Sequence, residues 1–252
     1  MEEQAVISLR DNLARAEWAR IKASLKLPVI TAPMFLVSGP ELVVACCRAG
    51  VIGSFPTINA RSPESLDEWL AVIQSELACC SDAAPPAANL VVHRSNPRLA
   101  DDLAVVARRR VPLVIASVGD PRPVIERVHD YGGLVFADVA SEKHARRAAA
   151  SGVDGLILLC AGAGGNTGWL SPFSFVPAVR RFFAGPLAVA GGIADGRAIR
   201  AAEMLGADIA YLGTRFITAR ESMASDEYRA MLIESGIDDI QLTDALTGIP
   251  GN

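Results

Sequence analysis

The chain has 252 residues, of which 51% are hydrophobic and 21% are charged, and its net charge is −4. This composition excludes a disordered chain, because enough apolar surface is available to form a large core. The mild negative charge argues against nucleic acid as the main partner. No signal-peptide pattern opens the sequence and no uncharged apolar stretch could cross a bilayer. The length suits a single domain over residues 1–252. The absence of a signal peptide and of a membrane-spanning stretch predicts that the protein is located in the cytoplasm.

Eight short apolar runs follow one another along the chain, separated by helix-like segments. Each run is continuous rather than alternating, which is typical of parallel strands that are covered on both faces. The runs are residues 29–35, 51–57, 89–93, 113–119, 134–140, 155–160, 187–193 and 209–216. A lead-in helix is predicted within residues 1–27 and should pack on the bottom of the sheet.

Helix signals alternate with these runs over residues 62–79, 98–110, 142–151 and 195–205. Ser62, Ser141 and Asp195 are predicted N-caps, because each comes just before a helical pattern. Strand and helix in alternation predict the α/β class with a parallel sheet, and eight repeats favour a closed (β/α)₈ TIM barrel. An open doubly wound sheet is the alternative if one or two strands are wrongly assigned. Residues 80–88 predict an inserted loop.

The five cysteines comprise two adjacent pairs on predicted helices and one single residue. Their spacing fits neither a disulfide framework nor a zinc site, so we expect no bound metal. We predict that all five are buried as small hydrophobic residues. They are Cys46, Cys47, Cys79, Cys80 and Cys160.

In an α/β barrel the active site lies at the carboxyl ends of the strands. Gly191 and Gly192 close the seventh predicted strand, and Gly213 and Thr214 close the eighth. Loops after these two strands often build a phosphate site, since glycine lets backbone N–H groups approach phosphate oxygens closely. Two such clusters at adjacent strand ends predict phosphate binding, and tight turns without a ligand are the alternative.

A third glycine cluster, residues 162–168, follows the sixth predicted strand. Such a loop can bring backbone against a flat ring system, because glycine has no side chain to keep the ring away. A plain flexible loop is the alternative interpretation.

Four segments taken together resemble the nitronate monooxygenase (2-nitropropane dioxygenase) family. They are APMF (32–35), AGAGGNTG (161–168), AGGI (190–193) and LGTRF (212–216), and their order and spacing match from about Leu27 to Gly248. The resemblance implies FMN bound non-covalently at the barrel mouth and the oxidation of alkyl nitronates with O2. It implies phosphate contacts at Gly192, Gly213 and Thr214, beside Gly191, and flavin contacts from Ala32, Pro33, Met34, Asn89 and Gly164.

One departure from the family pattern concerns the catalytic base. The family loop reads GGH, with the histidine as base, whereas this chain has Asn166, and Leu159 stands where the family has a glutamine. Asparagine cannot take a proton at neutral pH, so the base role does not carry over directly. Either the activity needs no base, or another group supplies one, or the reaction differs. We take Asn166 and His93 as the candidate catalytic residues.

His93 ends the third predicted strand and should face the pocket mouth. Histidines titrate near neutrality, which suits acid–base work, although a histidine that only hydrogen-bonds a neighbour or the flavin is equally consistent with the sequence. Asp138, at the end of the fifth strand, could orient a partner, and capping of a loop is its safer interpretation. His129 and His144 fall within predicted helices, where surface or packing roles are expected.

Two other functions stay open at this point. One is a reductase that uses NAD(P)H on an enone or quinone, and the other is a flavin-binding protein without catalysis. The expected partners are a small-molecule substrate and O2, with neither nucleic acid nor membrane, and a homodimer is an allowed assembly. Residues 247–252 predict a turn, which is consistent with further chain beyond Asn252.

Overall fold

Eight parallel strands form a barrel in the computed structural model of the protein. The structure describes residues 2–245, 248 and 250–252, and for residues 2–9 and 11 it describes the backbone alone. The sheet order is β1-β8-β7-β6-β5-β4-β3-β2. Strands β1 and β2 then meet across an Ile30–Ile52 bridge, where the Thr31 N–H donates to the Ile52 carbonyl at 2.8 Å. The bridge closes the circle, so the predicted (β/α)₈ barrel is confirmed. The strands are β1 Val29–Thr31, β2 Ser54–Pro56, β3 Ala87–Val91, β4 Leu113–Ser117, β5 Leu134–Val139, β6 Gly155–Leu159, β7 Leu187–Ala190 and β8 Ile209–Leu212.

Helices follow the strands and form the outer layer, with two single 3₁₀ turns at Thr57–Asn59 and Ile237–Asp239. Within the described part of the chain, no helix combines the length and the apolar character that a membrane crossing requires. The helices are α1 Glu2–Ala23, α2 Pro40–Ala49, α3 Pro63–Ala78, α4 Leu99–Arg108, α5 Arg122–His129, α6 Glu142–Ala150, α7 Pro172–Arg180, α8 Gly196–Leu205, α9 Thr214–Ile217 and α10 Asp226–Glu234.

The predicted helix caps are confirmed. Ser62 Oγ accepts the Ser65 N–H and Ser141 Oγ accepts the His144 N–H, each at 3.2 Å, while Asp195 Oδ1 accepts two amides at 2.9 Å. These side chains satisfy N–H groups that have no partner within the helix, and so fix where α3, α6 and α8 begin.

The bottom of the barrel is closed by α1, as predicted. Trp18 and Ile21 are buried there, and the Trp18 ring lies 5.4 Å from the Phe136 ring. These side chains join the apolar cluster inside the barrel, which includes Ile30 and Ile157. Since the bottom is filled, the open end that can receive a ligand is the end where the strands finish.

Several predicted strands extend too far at their carboxyl ends. The run 209–216 ends as a strand at Leu212, and its remainder forms the short helix α9. Strand β3 ends at Val91, so His93 lies in the following loop and does not end the strand, contrary to our prediction. The apolar character of these runs continues past the last ladder hydrogen bond, because residues that line the barrel mouth are themselves partly apolar.

The cysteine prediction is wrong for one pair. Cys46, Cys47 and Cys160 are buried, whereas Cys79 is exposed and Cys80 is half-buried. Cys79 and Cys80 follow the last residue of α3, at the start of the loop before β3, so they lie outside the packed face of the helix. All five are free thiols.

Candidate active site

The three glycine segments after β6, β7 and β8 lie side by side at the barrel mouth. The Gly192 N–H donates to the Gly162 carbonyl at 3.0 Å. A Cβ atom added at Gly164 would lie 2.6 Å from Thr214 Oγ1, so the loop after β6 also reaches the end of β8. We call Gly162, Gly164, Gly191, Gly192, Gly213 and Thr214 the glycine arc.

The turn after β1 continues the arc. A Cβ atom added at Gly213 would lie 3.5 Å from Ala32 Cβ and 3.6 Å from Met34 Sδ. The Met34 N–H donates to Ser38 Oγ at 3.0 Å, and Asn59 Nδ2 donates to the Met34 carbonyl at 3.0 Å. These bonds hold the Ala32–Met34 turn against β8. The structure thus brings Ala32 and Met34, which carry predicted flavin contacts, beside the predicted phosphate residues.

The arc has the features that a phosphate group needs. Among the described residues, the N–H groups of Gly213, Thr214 and Arg215 find no acceptor. Gly192 has a φ of +65°, and a Cβ atom added there would meet nothing within 4 Å. The Gly192 amide is already used by Gly162, so any direct donation to a phosphate falls to the end of β8. Free donors around an open space fit a phosphate group.

A cavity of about 700 Å³ borders the carboxyl ends of β4, β5 and β6 and extends along α6 as far as Ser151. Asn166 and His93 both line it, so the structure brings the two candidate catalytic residues to one cavity, together with Leu159. His93 is exposed, and its Nδ1 lies 2.7 Å from Ser95 Oγ. None of the arc residues lines this cavity; Asn166 and Thr167 line it from the same loop that contributes Gly162 and Gly164 to the arc.

The loop that carries Asn166 is held from both sides. Thr167 Oγ1 donates to the Cys160 carbonyl at 3.0 Å. On the other side the segment 250–252 pairs with the loop: Gly165 and Asn252 exchange two N–H···O bonds of 3.1 Å, and Asn252 Nδ2 donates to the Ala163 carbonyl at 2.7 Å. The predicted turn 247–252 falls partly outside the described residues, since Thr247 and Ile249 are not among them.

Asn89 is buried on β3 and faces its neighbouring strand. Its Nδ2 donates to the Ile115 carbonyl at 3.0 Å and to Ser117 Oγ at 2.7 Å. Both amide hydrogens are then used, which leaves Oδ1 as the acceptor that Asn89 can offer to a ligand. Its flavin contact, like that of Pro33, stays a prediction.

Asp138, for which the sequence suggested loop capping, accepts the Val118 N–H of the loop after β4 at 3.4 Å, and what the sequence did not show is its place on the cavity wall. It is half-buried at the end of β5 and lines the cavity. Burial raises the pKa of the Asp138 carboxyl to about 6, against the opposing effect of hydrogen bonds from the Ser117 hydroxyl and the Val118 amide. The sequence signal for this position was an acidic residue inside the otherwise apolar run 134–140. Of the two histidines assigned to helices, His129 pairs with Asp154 at 2.9 Å, whereas His144 lines the cavity.

Comparison with known proteins agrees with this geometry. A family model described as nitronate monooxygenase matches residues 81–251. The chain is 30% identical to nitronate monooxygenase from Paraburkholderia phytofirmans, over 88% of this chain and 71% of that protein. A nitroalkane oxidase structure from Streptomyces ansochromogenes superposes with a TM-score of 0.80 at 26% identity, covering 90% of this chain and 76% of that one.

A further relative carries a different activity in its name. The Mycobacterium tuberculosis (3aS,4S,5R,7aS)-5-hydroxy-7a-methyl-1-oxo-octahydro-1H-indene-4-carboxyl-CoA dehydrogenase is 30% identical over 88% of this chain, and the chain spans 61% of that protein's length. The match to the family model covers well over half of the chain and coincides with the strands that build the arc and the cavity. The chain belongs to the nitronate monooxygenase family, a family of flavin-dependent oxidoreductases.

Proposed function

We propose that the protein binds FMN and oxidises alkyl nitronates with molecular oxygen. The observation that carries this proposal is the position of Asn166, which lines the cavity from the loop that also forms the glycine arc. Its side-chain amide can donate a hydrogen bond to an anion but cannot take a proton. An alkyl nitronate is already an anion and needs a donor rather than a base, so the residue present at this position suits that substrate.

The chain offers suitable groups for each part of FMN. The free N–H groups at Gly213, Thr214 and Arg215 would hold the phosphate, while the Ala32–Met34 turn and Gly164 would border the flavin ring. The chemistry that FMN would supply is the passage of electrons from the substrate to oxygen.

The protein residues around the substrate supply binding and orientation. Asn166 would donate to a nitronate oxygen and so fix the anion beside the ring. Leu159 contributes an apolar side chain to the lining of the same cavity. The nitronate monooxygenase and the nitroalkane oxidase named above support this substrate class.

A second candidate is an NAD(P)H-dependent reductase that acts on an enone or quinone. Two observations favour it. The cavity of about 700 Å³ falls in the size range of sites for drug-sized ligands, and His144 and Arg147 of α6 line it. Arg147 is exposed on the cavity wall and forms no ion pair within the described part of the chain, so it is available to a phosphate-bearing cofactor or substrate. The name of the CoA-ester dehydrogenase relative points the same way.

The two candidates are separated by one set of measurements on purified protein. The flavin is released by denaturation and identified, and oxygen consumption is then followed with a preformed alkyl nitronate. We expect FMN and nitronate-dependent oxygen uptake. Flavin of another kind would contradict the FMN proposal. Nitronate-independent consumption of NAD(P)H with an enone or quinone would favour the reductase, and bound flavin that turns over with no substrate would favour a protein without catalysis.

A further inference from the structure

A buried hydrogen-bonded network joins the ends of three neighbouring strands beside the cavity. Asn89 of β3 donates from Nδ2 to Ser117 Oγ of β4 at 2.7 Å. Because Ser117 accepts this bond, its own hydroxyl hydrogen is free, and the hydroxyl lies near enough to the Asp138 carboxyl of β5 to lower the pKa of that acid. The network therefore connects a predicted flavin contact to a carboxylate on the cavity wall.

The backbone next to Asp138 is held in a strained form. Val118 has a φ of +58°, a region that a β-branched residue rarely adopts, and Gly119 follows with a φ of +154°. A Cβ atom at Gly119 would lie 3.0 Å from the Val92 carbonyl oxygen, so the chain passes close to β3 here. The result is that the Val118 N–H points at Asp138 Oδ1, 3.4 Å away. Strain of this kind persists where the surrounding structure imposes it, and it is commonest at functional sites.

We propose that Asp138 is a general base that removes the α-proton from neutral nitroalkanes in this cavity. The proposal rests on the proposed function, since it extends the substrate from the preformed nitronate to its neutral parent. In this step the α-carbon–hydrogen bond breaks and an O–H bond forms on the Asp138 carboxylate. The electron pair moves onto the nitro group, which gives the nitronate anion that Asn166 holds. The proton leaves later to solvent through the open side of the cavity.

Asp138 suits this role better than His93 does. Its carboxylate accepts the Val118 N–H at a strand end, whereas His93 is exposed in a loop and its Nδ1 is engaged by Ser95. Burial raises the pKa of Asp138 to about 6, which makes the ionised carboxylate a stronger base than an ordinary aspartate and leaves it ionised at neutral pH.

The charge of Asp138 is set by neighbours on several elements. Tyr211 of β8 is coupled to it electrostatically: burial, and then the negative charge of Asp138, raise the pKa of the phenol well above its usual value. The other ionisable side chains around the cavity are His93, Asp120, Arg122, His144 and Arg147. Asp120 is ion-paired with Arg122, so those two charges largely cancel.

The sign of the pH dependence follows from the ionised form acting as base. Proton removal should be slow below the pKa of Asp138, should rise as the pH passes about 6, and should then level off.

The test is exchange of the α-hydrogens of nitroethane for deuterium, followed by NMR in D2O without oxygen, using FMN-loaded protein. This readout needs only a base and no turnover by oxygen. We expect Asp138→Asn to lower the protein-dependent exchange by about 10²–10⁴-fold and to lower the ratio of nitroethane to ethyl nitronate oxidation similarly. Asp138→Glu, which restores a carboxylate, should recover part of the exchange. Asp120→Asn is the matched control, because it removes a carboxylate from the same cavity, and it should keep the wild-type exchange rate.

Three results would overturn the assignment. They are wild-type exchange no faster than in buffer, Asp138→Asn exchange equal to wild type, or loss of the pH-dependent exchange in His93→Ala instead. FMN content and melting temperature of each variant show whether it is folded. Failure of nitronate oxidation in the wild type would reject the proposed function alone, since the exchange experiment does not depend on it.

Discussion

Replacing Gly192 by alanine tests whether the glycine arc holds the phosphate of FMN. In the protein alone, the added methyl group would meet nothing within 4 Å, so it creates no clash with any described atom. Its intrinsic cost is the left-handed backbone, with φ at +65°. Any loss of FMN affinity beyond that cost must come from the space that the methyl group takes from the ligand.

Gly152 supplies a matched control. It has a φ of +90°, a Cβ atom added there would also meet nothing within 4 Å, and it lies before β6 at the opposite end of the barrel. Alanine in a left-handed conformation costs about 1–2 kcal/mol. Since about 1 kcal/mol shifts the melting temperature of a domain of this size by roughly 2–4 °C, both apoprotein variants should melt about 2–8 °C below wild type.

The two variants should differ only toward FMN. A methyl group forced into a filled site typically costs about 1–3 kcal/mol, which corresponds to about a 5- to 150-fold weaker Kd. We expect this loss for Gly192→Ala, and a wild-type Kd for Gly152→Ala. The assay is titration of apoprotein with FMN, followed by flavin fluorescence, with melting curves in the presence and absence of FMN. Equal FMN affinity in the two variants would show that the phosphate does not lie beside Gly192.

Three further predictions concern the cavity and the scaffold. Asn166→His should raise nitroethane oxidation at least about 10-fold while changing nitronate oxidation much less, because it adds a base where the family has one; equal changes in oxygen uptake on both substrates would contradict this. Asp138→Asn should stabilise the protein by about 1–3 kcal/mol above pH 6, because the pKa of Asp138 is raised to about 6 and its ionisation in the folded state is costly. That gain should vanish near pH 4 in denaturant titrations, and a gain of equal size at both pH values would be inconsistent with it. Ser62→Ala should cost about 1 kcal/mol through loss of the cap on α3, whereas an unchanged melting temperature would refute the capping role.

The local features of this protein could be predicted from its sequence. Eight continuous apolar runs gave the parallel strands, because a strand that is covered on both faces must be apolar along its whole length. Ser62, Ser141 and Asp195 marked helix starts, because a cap acts on amides only two or three residues away. Strand position also placed the glycine clusters at one end of the barrel, since every parallel strand ends there.

Contacts between strand ends could be decided only by the tertiary structure. The bonds from Asn89 to Ser117 and from the Val118 N–H to Asp138 depend on the register of β3, β4 and β5, which periodicity does not specify. The same is true of the segment 250–252, which pairs with a loop more than 80 residues earlier in the sequence. His93 lies outside the strand predicted for it because strand β3 ends at Val91. A sequence carries periodicity and turn chemistry, whereas the shape of a binding cavity comes from barrel closure, which brings distant residues together.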